Sequence, residues 1–389
     1  MTTVPQPIKL VEMDEIVLAS HLLWQINQNS FWWSTPGLGK TQTHLAIEKI
    51  LKLHMEILVG SARLPEDISG YPYPDIKENV MRRLCDTWVR RTLEAKAKKQ
   101  QSMLLLDDFS TVNEAMESAF YRVVQEKVSG DENLEGVWIS ACGNPPGTAA
   151  GARPLSFAMA NRFCHFEIKF NPTSWARRRR LNFPLPELRT IDKTWEELLP
   201  KWSAAIGTFC ERFDTRVVEL HNKAGKREDG NILGYPSERS LDNLGHALAA
   251  CEKHFQGTPQ FAAVQRLLGV GIIGSLCWED FTTFIKEADI PDPEDFLDQA
   301  LRNGRIRFPD RDDIVHMVLN GVVQAVVRRN SEDRWRAALK IHAAAPKDVA
   351  AVTFMDLYNN TPKGFLIAND PLSLTMIGEF EDLIPKDVK

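Results

Sequence analysis

The stretch Ser34-Thr35-Pro36-Gly37-Leu38-Gly39-Lys40-Thr41 decides the class of fold. The aromatic run Phe31-Trp32-Trp33 precedes it, and apolar residues recur at helical spacing between Lys40 and His54. Glycines allow successive backbone N–H groups to point at one anion, and the N-terminus of a helix favours negative charge beside it. A strand, a glycine loop and a helix in this order predict a phosphate-binding P-loop. The alternative is a Pro-Gly turn that caps an ordinary helix.

The loop also predicts what it binds. Lys40 would reach the β- and γ-phosphates of a nucleotide and the hydroxyl of Thr41 would bind Mg²⁺, so the predicted cofactors are ATP and Mg²⁺. Ser34 stands where the pattern G-x-x-x-x-G-K-[ST] has its first glycine, so a non-glycine residue is expected in a tight turn. The residues predicted to contact the nucleotide are consecutive: Pro36, Gly37, Leu38, Gly39, Lys40, Thr41 and Gln42.

Length and composition limit the remaining possibilities. A chain of 389 residues is long for one compact core, so two or three domains are expected. The formal net charge of −5 argues against a general nucleic-acid coat, and the six scattered cysteines disfavour a zinc cluster or a disulfide framework. No apolar run is long enough for a membrane span, and residues 1–10 lack a signal-peptide layout. A soluble, cytoplasmic protein is therefore expected.

Strand-like and helical segments alternate from about residue 30 to residue 170, which predicts an α/β core with a parallel sheet flanked by helices. Residues 63–74 are too rich in proline and glycine for a regular element, and a basic helix is predicted from about residue 78 to residue 99. Later segments are mainly helical. The predicted domains are an N-terminal helical segment (1–29), the nucleotide-binding core (30–170), an α-helical lid (171–255) and an α-helical C-terminal extension (256–389).

A pair of acids follows the continuous apolar run Met103-Leu104-Leu105-Leu106, which is typical of a strand buried on both faces. A P-loop needs a carboxylate at the end of a neighbouring strand to hold magnesium. Asp107 would contact Mg²⁺ through its water shell, and Asp108 would orient or deprotonate the attacking water. Alone, the pair is as compatible with an acidic strand-to-loop turn.

The order of the motifs resembles the MoxR-type branch of the AAA+ ATPases, a dynein-related P-loop family, over roughly residues 31–250. After the P-loop and Asp107-Asp108 come Gly143-Asn144-Pro145-Pro146, Asn161-Arg162-Phe163 and Pro236-Ser237-Glu238-Arg239-Ser240. The resemblance implies that Asn144 is the sensor-1 residue, that Arg162 is an arginine finger supplied to a neighbouring subunit, and that Arg239 is sensor 2. Without the family pattern, Arg162 would more readily form a surface salt bridge, and Asn144 an Asn-Pro turn.

Two residues depart from the family pattern. Asp108 stands where the family usually has Glu, and its side chain is one methylene shorter. A general base must lie within hydrogen-bond reach of its water, so the shorter acid could slow turnover. With Ser34 in place of the first glycine, slow hydrolysis or a binding-only switch becomes an alternative to a fast motor.

The resemblance also implies partners. MoxR-like proteins form rings, here expected to be a homo-hexamer, and act as chaperones on a protein client, often with a partner that carries a von Willebrand factor A domain. Residues 64–75 are similar to the family's pore-directed insertion, where Tyr71 and Tyr73 would grip a client, and residues 127–136 would form a short pore-side hairpin. A packed surface loop is the alternative for residues 64–75.

Two rival functions remain. One is an AAA+ subunit of a nucleic-acid-directed restriction or phage-related complex, and the other is a non-hydrolysing scaffold that uses nucleotide only for assembly. Residues Arg177 to Arg180 could contact nucleic-acid phosphates. A solvated helix face or an inter-subunit surface is favoured instead, because the chain is negative and its sequence has no aromatic residues interleaved with these arginines.

Overall fold

The computed structural model describes residues 13–223, 233–288, 292–302, 304–365, 367 and 370–380. The strands are β1 (Ser30–Trp33), β2 (His54–Val59), β3 (Tyr71–Asp75), β4 (Val80–Leu84), β5 (Ser102–Asp107), β6 (Val128–Ser129), β7 (Glu132–Asn133), β8 (Trp138–Gly143) and β9 (Cys164–Glu167). The helices up to the core's end are α1 (Met13–Gln25), α2 (Lys40–Leu51), α3 (Pro65–Ser69), α4 (Thr87–Ala97), α5 (Glu114–Glu126), α6 (Phe157–Ala160) and α7 (Pro172–Arg180). The later helices are α8 (Leu199–Arg212), α9 (Asp214–Asn222), α10 (Glu238–Phe255), α11 (Phe261–Ile273), α12 (Ser275–Ala288), α13 (Pro293–Leu301), α14 (Asp312–Arg328), α15 (Glu332–Ala344), α16 (Lys347–Asn359) and α17 (Pro371–Glu379).

The main sheet has five strands in the order β2-β5-β8-β1-β9, and every pairing in it is parallel. β1 therefore lies between β8 and β9, with Trp33 opposite Gly143 on one side and Glu167 on the other. Because the strands are parallel, their carboxyl ends meet at one edge, which is where open α/β sheets bind ligands. The P-loop follows β1 at that edge, so the predicted α/β core is confirmed.

The aromatic run of β1 is buried on both faces of the sheet. Phe31 and Trp33 stack at 4.2 Å between ring centroids and join the core cluster that also contains Leu104 and Leu106. Trp32 points to the opposite face, where its indole N–H donates to Ser20 of α1 at 2.8 Å. Each aromatic side chain removes about 150–250 Å² from water. This burial on both faces explains why the strand lacks alternation.

The segment between α3 and α4 differs from the prediction. β3 and β4 form an antiparallel hairpin, with Asp75 opposite Val80 and Tyr71 opposite Leu84. The prediction of a helix from about residue 78 is therefore wrong for its first part and correct only from Thr87 to Ala97. Asn79, in the left-handed region at φ 51°, reverses the chain and prevents a continuous helix. The expectation of no regular element in residues 63–74 is also wrong, because α3 and most of β3 lie there. By contrast, β6 and β7 form the predicted short hairpin.

The chain divides into two compact units, residues 1–192 with 218–278 and residues 193–217 with 279–389. The first unit holds the sheet, and the second is helical in its described part, which confirms the predicted helical C-terminal half. Residues 193–217 of the predicted lid are grouped with the second unit, and residues 256–278 of the predicted extension with the first. The predicted boundaries of core, lid and extension stay predictions, because a division into compact units does not test the role of each part. Across the described ranges, no helix has the length and apolar character to cross a bilayer.

Candidate nucleotide-binding site

The loop between β1 and α2 has the backbone that a phosphate cradle needs. Gly37 and Gly39 lie in the left-handed region at φ 85° and 81°. A Cβ added at either position would meet no atom within 4 Å, so the backbone conformation, and not lack of space, calls for glycine. Gly39 is also the N-cap of α2 and supplies no capping side chain. The first N–H groups of α2 are thus oriented towards the loop opening, where an anion is favoured.

Lys40 folds back across this loop. Its Nζ donates to Ser34 Oγ at 2.9 Å, to the Ser34 carbonyl at 3.3 Å and to Asn144 Oδ1 at 3.0 Å. Burial lowers the pKa of the lysine, against the opposing charges of Cys142, Asp107 and Asp108. All three acceptors are neutral. A buried cation whose hydrogen-bond acceptors are all neutral gains from an added anion, because opposite charges attract strongly where water is excluded.

Ser34 does not carry the strain expected from its place in the motif. The residue is absent from the left-handed region, so replacing glycine there has no conformational penalty. Its hydroxyl donates to the Thr35 carbonyl at 2.8 Å while accepting from Lys40. The serine therefore orients the lysine, a role that glycine could fill only with its backbone.

Thr41 and Asp107 meet at the predicted metal position. The Thr41 hydroxyl donates to Asp107 Oδ2 at 2.8 Å, and Asp107 Oδ1 accepts from the backbone N–H of Asp108 at 3.1 Å. A hydroxyl and a carboxylate are the oxygen donors that Mg²⁺ takes, usually together with waters and phosphate oxygens. The donor set therefore fits magnesium.

Asp108 lies at the start of a short helical turn after β5. Its backbone is left-handed at φ 48°, and its carbonyl accepts from the N–H of Thr111 at 2.9 Å and from the Thr111 hydroxyl at 2.7 Å. The carboxylate is exposed, beside the half-buried Asp107. A left-handed non-glycine residue next to a candidate metal ligand is a local strain that function often explains.

Asn144 is positioned from two sides. Its backbone N–H donates to the buried hydroxyl of Ser110 at 2.9 Å, and its side-chain oxygen accepts from Lys40. Asn144 immediately follows β8, the strand next to β1, and its side-chain amide therefore faces the P-loop. Ser110 was missed by the sequence analysis. Its only signal is that it follows the acid pair by two residues, at the turn where β5 ends.

A buried polar chain beneath the loop was also missed. His44 of α2 bonds the Lys40 carbonyl through Nδ1 at 2.9 Å and the Ser140 hydroxyl through Nε2 at 2.8 Å. Ser140 bonds Ser30 at 2.9 Å, and Ser30 accepts from the indole of Trp24. Burial lowers the pKa of His44 to about 4, so the ring is neutral at pH 7. This chain ties the first turn of α2 to β1 and β8.

Arg162 and Arg239 form a second group. The Arg162 guanidinium lies over the ring of Tyr121 at 4.6 Å and donates to the Ala158 carbonyl. Burial, and next the nearby charge of Arg239, lower the pKa of Arg162. The Ser237 hydroxyl, which caps α10, donates to Asn161 at 2.9 Å and so links the two motifs.

The predicted site residues thus fall into two clusters. Lys40 donates to Asn144 and the next residue, Thr41, donates to Asp107, so the two pairs are neighbours, and Asp108 follows Asp107. Arg162 and Arg239 lie together, and within the described residues neither guanidinium is hydrogen-bonded or ion-paired to the P-loop cluster. Of the remaining predicted loop residues, Pro36 and Gln42 are exposed and Leu38 is half-buried.

Comparisons with known proteins give a limited result. No family model matches the chain, and no curated protein matches it. A solved structure from Cytophaga hutchinsonii ATCC 33406, described as a "putative ATPase", is similar at a TM-score of 0.45 and 16% identity, covering 71% of this chain and 90% of that one. The fold itself follows from the features above. A parallel five-stranded sheet flanked by helices, with a glycine loop after its inner strand β1 and a helical C-terminal half, is an α/β P-loop fold.

Proposed function

We propose that this chain binds ATP with Mg²⁺ and hydrolyses it. The observation that carries the proposal is the meeting of Lys40 and Asn144 at 3.0 Å beside the Thr41–Asp107 contact at 2.8 Å, all at one edge of the sheet. Hydrolysis of a phosphate chain needs a cradle, a cation, a metal site and a water-orienting group. The loop, Lys40, the Thr41–Asp107 pair and the acid at 108 supply them.

Lys40 would act by exchanging partners. When a triphosphate enters, the Nζ of Lys40 exchanges neutral oxygens for phosphate oxygens, whose negative charge attracts the ammonium more strongly. The side chain of Asn144 is then released to hydrogen-bond the γ-phosphate or the attacking water. Ser110 keeps the backbone of Asn144 fixed during this exchange. Mg²⁺, when bound, would neutralise the charge that develops on the phosphate oxygens.

Asp108 would orient or deprotonate the water. Its exposed carboxylate is available for this role, although its reach is shorter than that of a glutamate. The γ-phosphate also needs positive charge beside it, to stabilise the negative charge that develops on its oxygens. Arg162 and Arg239 supply such charge, because a guanidinium stays ionised and binds oxygens bidentately.

The finer proposal is a MoxR-like AAA+ ATPase that works as a homo-oligomeric ring, with six subunits as the family's expectation. It is supported by the motif order and by the separate grouping of Arg162 and Arg239, which suits an arginine supplied to a neighbour. The ring would remodel or mature a protein client, in the manner of a chaperone, with a von Willebrand factor A-domain protein as a partner. The β3–β4 hairpin is the surface that supports client contact, since the side chains of Tyr71, Ile76 and Met81 are exposed.

Steady-state phosphate release at saturating MgATP tests the proposal. Activity that is lost in Lys40→Ala supports hydrolysis at this site, whereas tight ATP binding without release in every oligomeric state would leave only a nucleotide-dependent scaffold. The trans role of Arg162 is tested by mixing Arg162→Ala subunits with Lys40→Ala subunits. Partial recovery of activity in confirmed oligomers supports a neighbour's site, and no recovery counts against it.

A further inference from the structure

A second chemical surface lies on the first unit, over residues 170–183. The sequence from 168 to 186 contains Lys169 and Arg177 to Arg180 but no Asp or Glu. No residue of α7 is buried. The site described above uses none of these side chains.

Within the residues that the structure describes, only one of the four arginines is paired with an acid. Arg178 lies 3.8 Å from Asp14. For Arg177, Arg179 and Arg180, the described part of the chain offers neither an ion pair nor a side-chain hydrogen bond. Cations are favoured at the C-terminus of a helix, which accounts for some of this charge. The helix dipole does not explain why exposed aromatic side chains lie next to these arginines.

Exposed aromatic rings accompany these arginines. Trp175 is 52% exposed and Phe183 is 40% exposed, and their ring centroids are 6.5 Å apart. The guanidinium of Arg178 lies 5.9 Å from the centre of the Phe183 ring. The sequence has no aromatic residue among the four arginines, but the fold returns Phe183 to them by bending the chain after α7.

The bend is conformationally strained. Asn182 and Phe183 are both in the left-handed region, at φ 58° and 49°, and the Phe183 N–H donates to the Arg178 carbonyl at 2.7 Å. A bulky residue in this region is an outlier, and the backbone there is strained. This strained turn holds a ring that stays 40% exposed next to Trp175, so burial compensates for the strain only in part.

The distribution of charge around α7 selects the kind of partner. At 100° per residue, the four consecutive arginines point to all sides of the helix, with Trp175 between Arg178 and Arg179. A helix that lies on a membrane needs an apolar face opposite its basic face, and α7 has none. An acidic polypeptide would use the arginines but has no need of flat, exposed rings.

We propose that residues 170–183 bind single-stranded nucleic acid. Arg177, Arg179 and Arg180 contact backbone phosphates, and Trp175 with Phe183 provides a platform on which bases stack. Non-specific binding of single strands combines these two elements, a cationic track and aromatic stacking, because every base has a π-face. The surface is independent of the ATP site, so the proposal stands or falls separately from hydrolysis.

The test is binding of a fluorescently labelled oligothymidylate to the full chain without ATP, followed by anisotropy across a salt series. The triple variant Arg177→Gln/Arg179→Gln/Arg180→Gln should bind more weakly, and its slope of log affinity against log salt should be shallower by about 2. The matched control neutralises three exposed arginines elsewhere, Arg90, Arg302 and Arg336, and should keep the wild-type slope.

Trp175→Leu separates stacking from charge. It should lower affinity by between about 5-fold and about 150-fold while leaving the salt slope unchanged, since stacking contributes roughly 1–3 kcal/mol per base. A duplex of the same length should bind more weakly than the single strand. Unchanged thermal unfolding midpoints in each variant verify the fold, which is expected because α7 buries no side chain.

Three results would overturn the proposal. The first is no binding by the wild-type chain at low salt. The second is equal loss of affinity in the triple variant and in its charge-matched control, which would indicate only a general charge effect. The third is wild-type affinity in Trp175→Leu together with equal competition by polyglutamate or by anionic lipid vesicles, which would assign the surface to an acidic polypeptide or a membrane.

Discussion

Gly39 carries a conformational demand that a single substitution can isolate. Its φ of 81° is unfavourable for an L-residue by about 1–2 kcal/mol, and no atom obstructs a methyl group there. Gly39→Ala should therefore lower the free energy of unfolding by about that amount. It should also weaken MgADP binding by about tenfold or more, because the N–H groups of the loop would no longer point at the phosphates. Chemical denaturation and calorimetric titration measure the two effects.

Gly257 provides the matched control. Its φ of 80° and its open surroundings are the same, but it lies after α10 and away from the loop. Gly257→Ala should lose similar stability and keep full nucleotide affinity. Equal affinity losses in the two variants would mean that the Gly39 effect is global instability, and the role assigned to the loop would then be wrong.

Asp108 can be tested without disturbing its unusual backbone. Asparagine tolerates the left-handed region well, so Asp108→Asn should fold like the wild type. Removing a general base should reduce phosphate release by about 100-fold or more, while ATP affinity changes little. Release that persists at the wild-type rate would show that another group orients the water. Asp107→Asn is the companion variant. It should also lose phosphate release, and the activity that remains should depend less on the magnesium concentration.

Site residues that belong to a motif of fixed spacing along the chain were predictable from the sequence. Lys40, Thr41 and Asp107 follow fixed motifs at strand ends, and parallel strands bring such ends together. Ser110 and His44 were not predictable, because their roles depend on contacts across the sheet with Asn144 and Ser140. A serine and a histidine in apolar surroundings give no local pattern, and only the three-dimensional packing supplies their partners.

At the scale of elements, the β3–β4 hairpin shows how local chemistry controls a sheet edge. The Arg83 N–H points away from β3 and donates to Asp131 at 2.9 Å, so Arg83 and its partner Pro72 form a pair without ladder hydrogen bonds. Pro74, opposite Met81, is two residues on and has the same orientation. The two prolines thus remove the N–H groups that would otherwise face outward along β3. Such prolines protect an exposed edge from pairing with another chain.

Opening that edge should promote self-association. Pro72→Thr/Pro74→Thr adds two outward N–H donors next to exposed apolar side chains, so the variant should form concentration-dependent oligomers beyond those of the wild type. Light scattering across a dilution series measures this. The control, Pro154→Thr/Pro259→Thr, changes two exposed prolines outside any strand and should behave like the wild type. Identical scattering for both double variants would contradict the protective role.

The same hairpin explains the main error in the sequence-based fold. Residues 78–84 are rich in charge and have a single β-branched residue, Val80, so they read as helix. The strand forms because β3 offers a partner and Asn79 reverses the chain. β1 and β5 were predicted correctly because burial on both faces leaves a continuous apolar run, a signal that an exposed hairpin lacks.

At the scale of the whole molecule, buried histidines predict the response to acid. Burial lowers the pKa of four histidines to about 4: His21, His44, His165 and His342. Between pH 6.5 and 4 the unfolded chain binds protons at these rings and the folded chain does not. The free energy of unfolding should therefore be fully retained above pH 6.5 and fall as the pH drops towards 4.

The two units should respond unequally, because three of these histidines lie in the first unit and only His342 in the second. Each histidine contributes at most about 1.4 kcal/mol per pH unit within that window, so the first unit should lose stability about three times as steeply. Hydrogen exchange between pH 7 and pH 5, corrected for intrinsic rates, compares β1 with α15. In His342→Gln the slope for α15 should flatten while that for β1 stays unchanged. Equal slopes for the two units in the wild type would mean that they unfold together, and a protein equally stable at pH 7 and pH 5 would mean that these rings accept protons in the folded state.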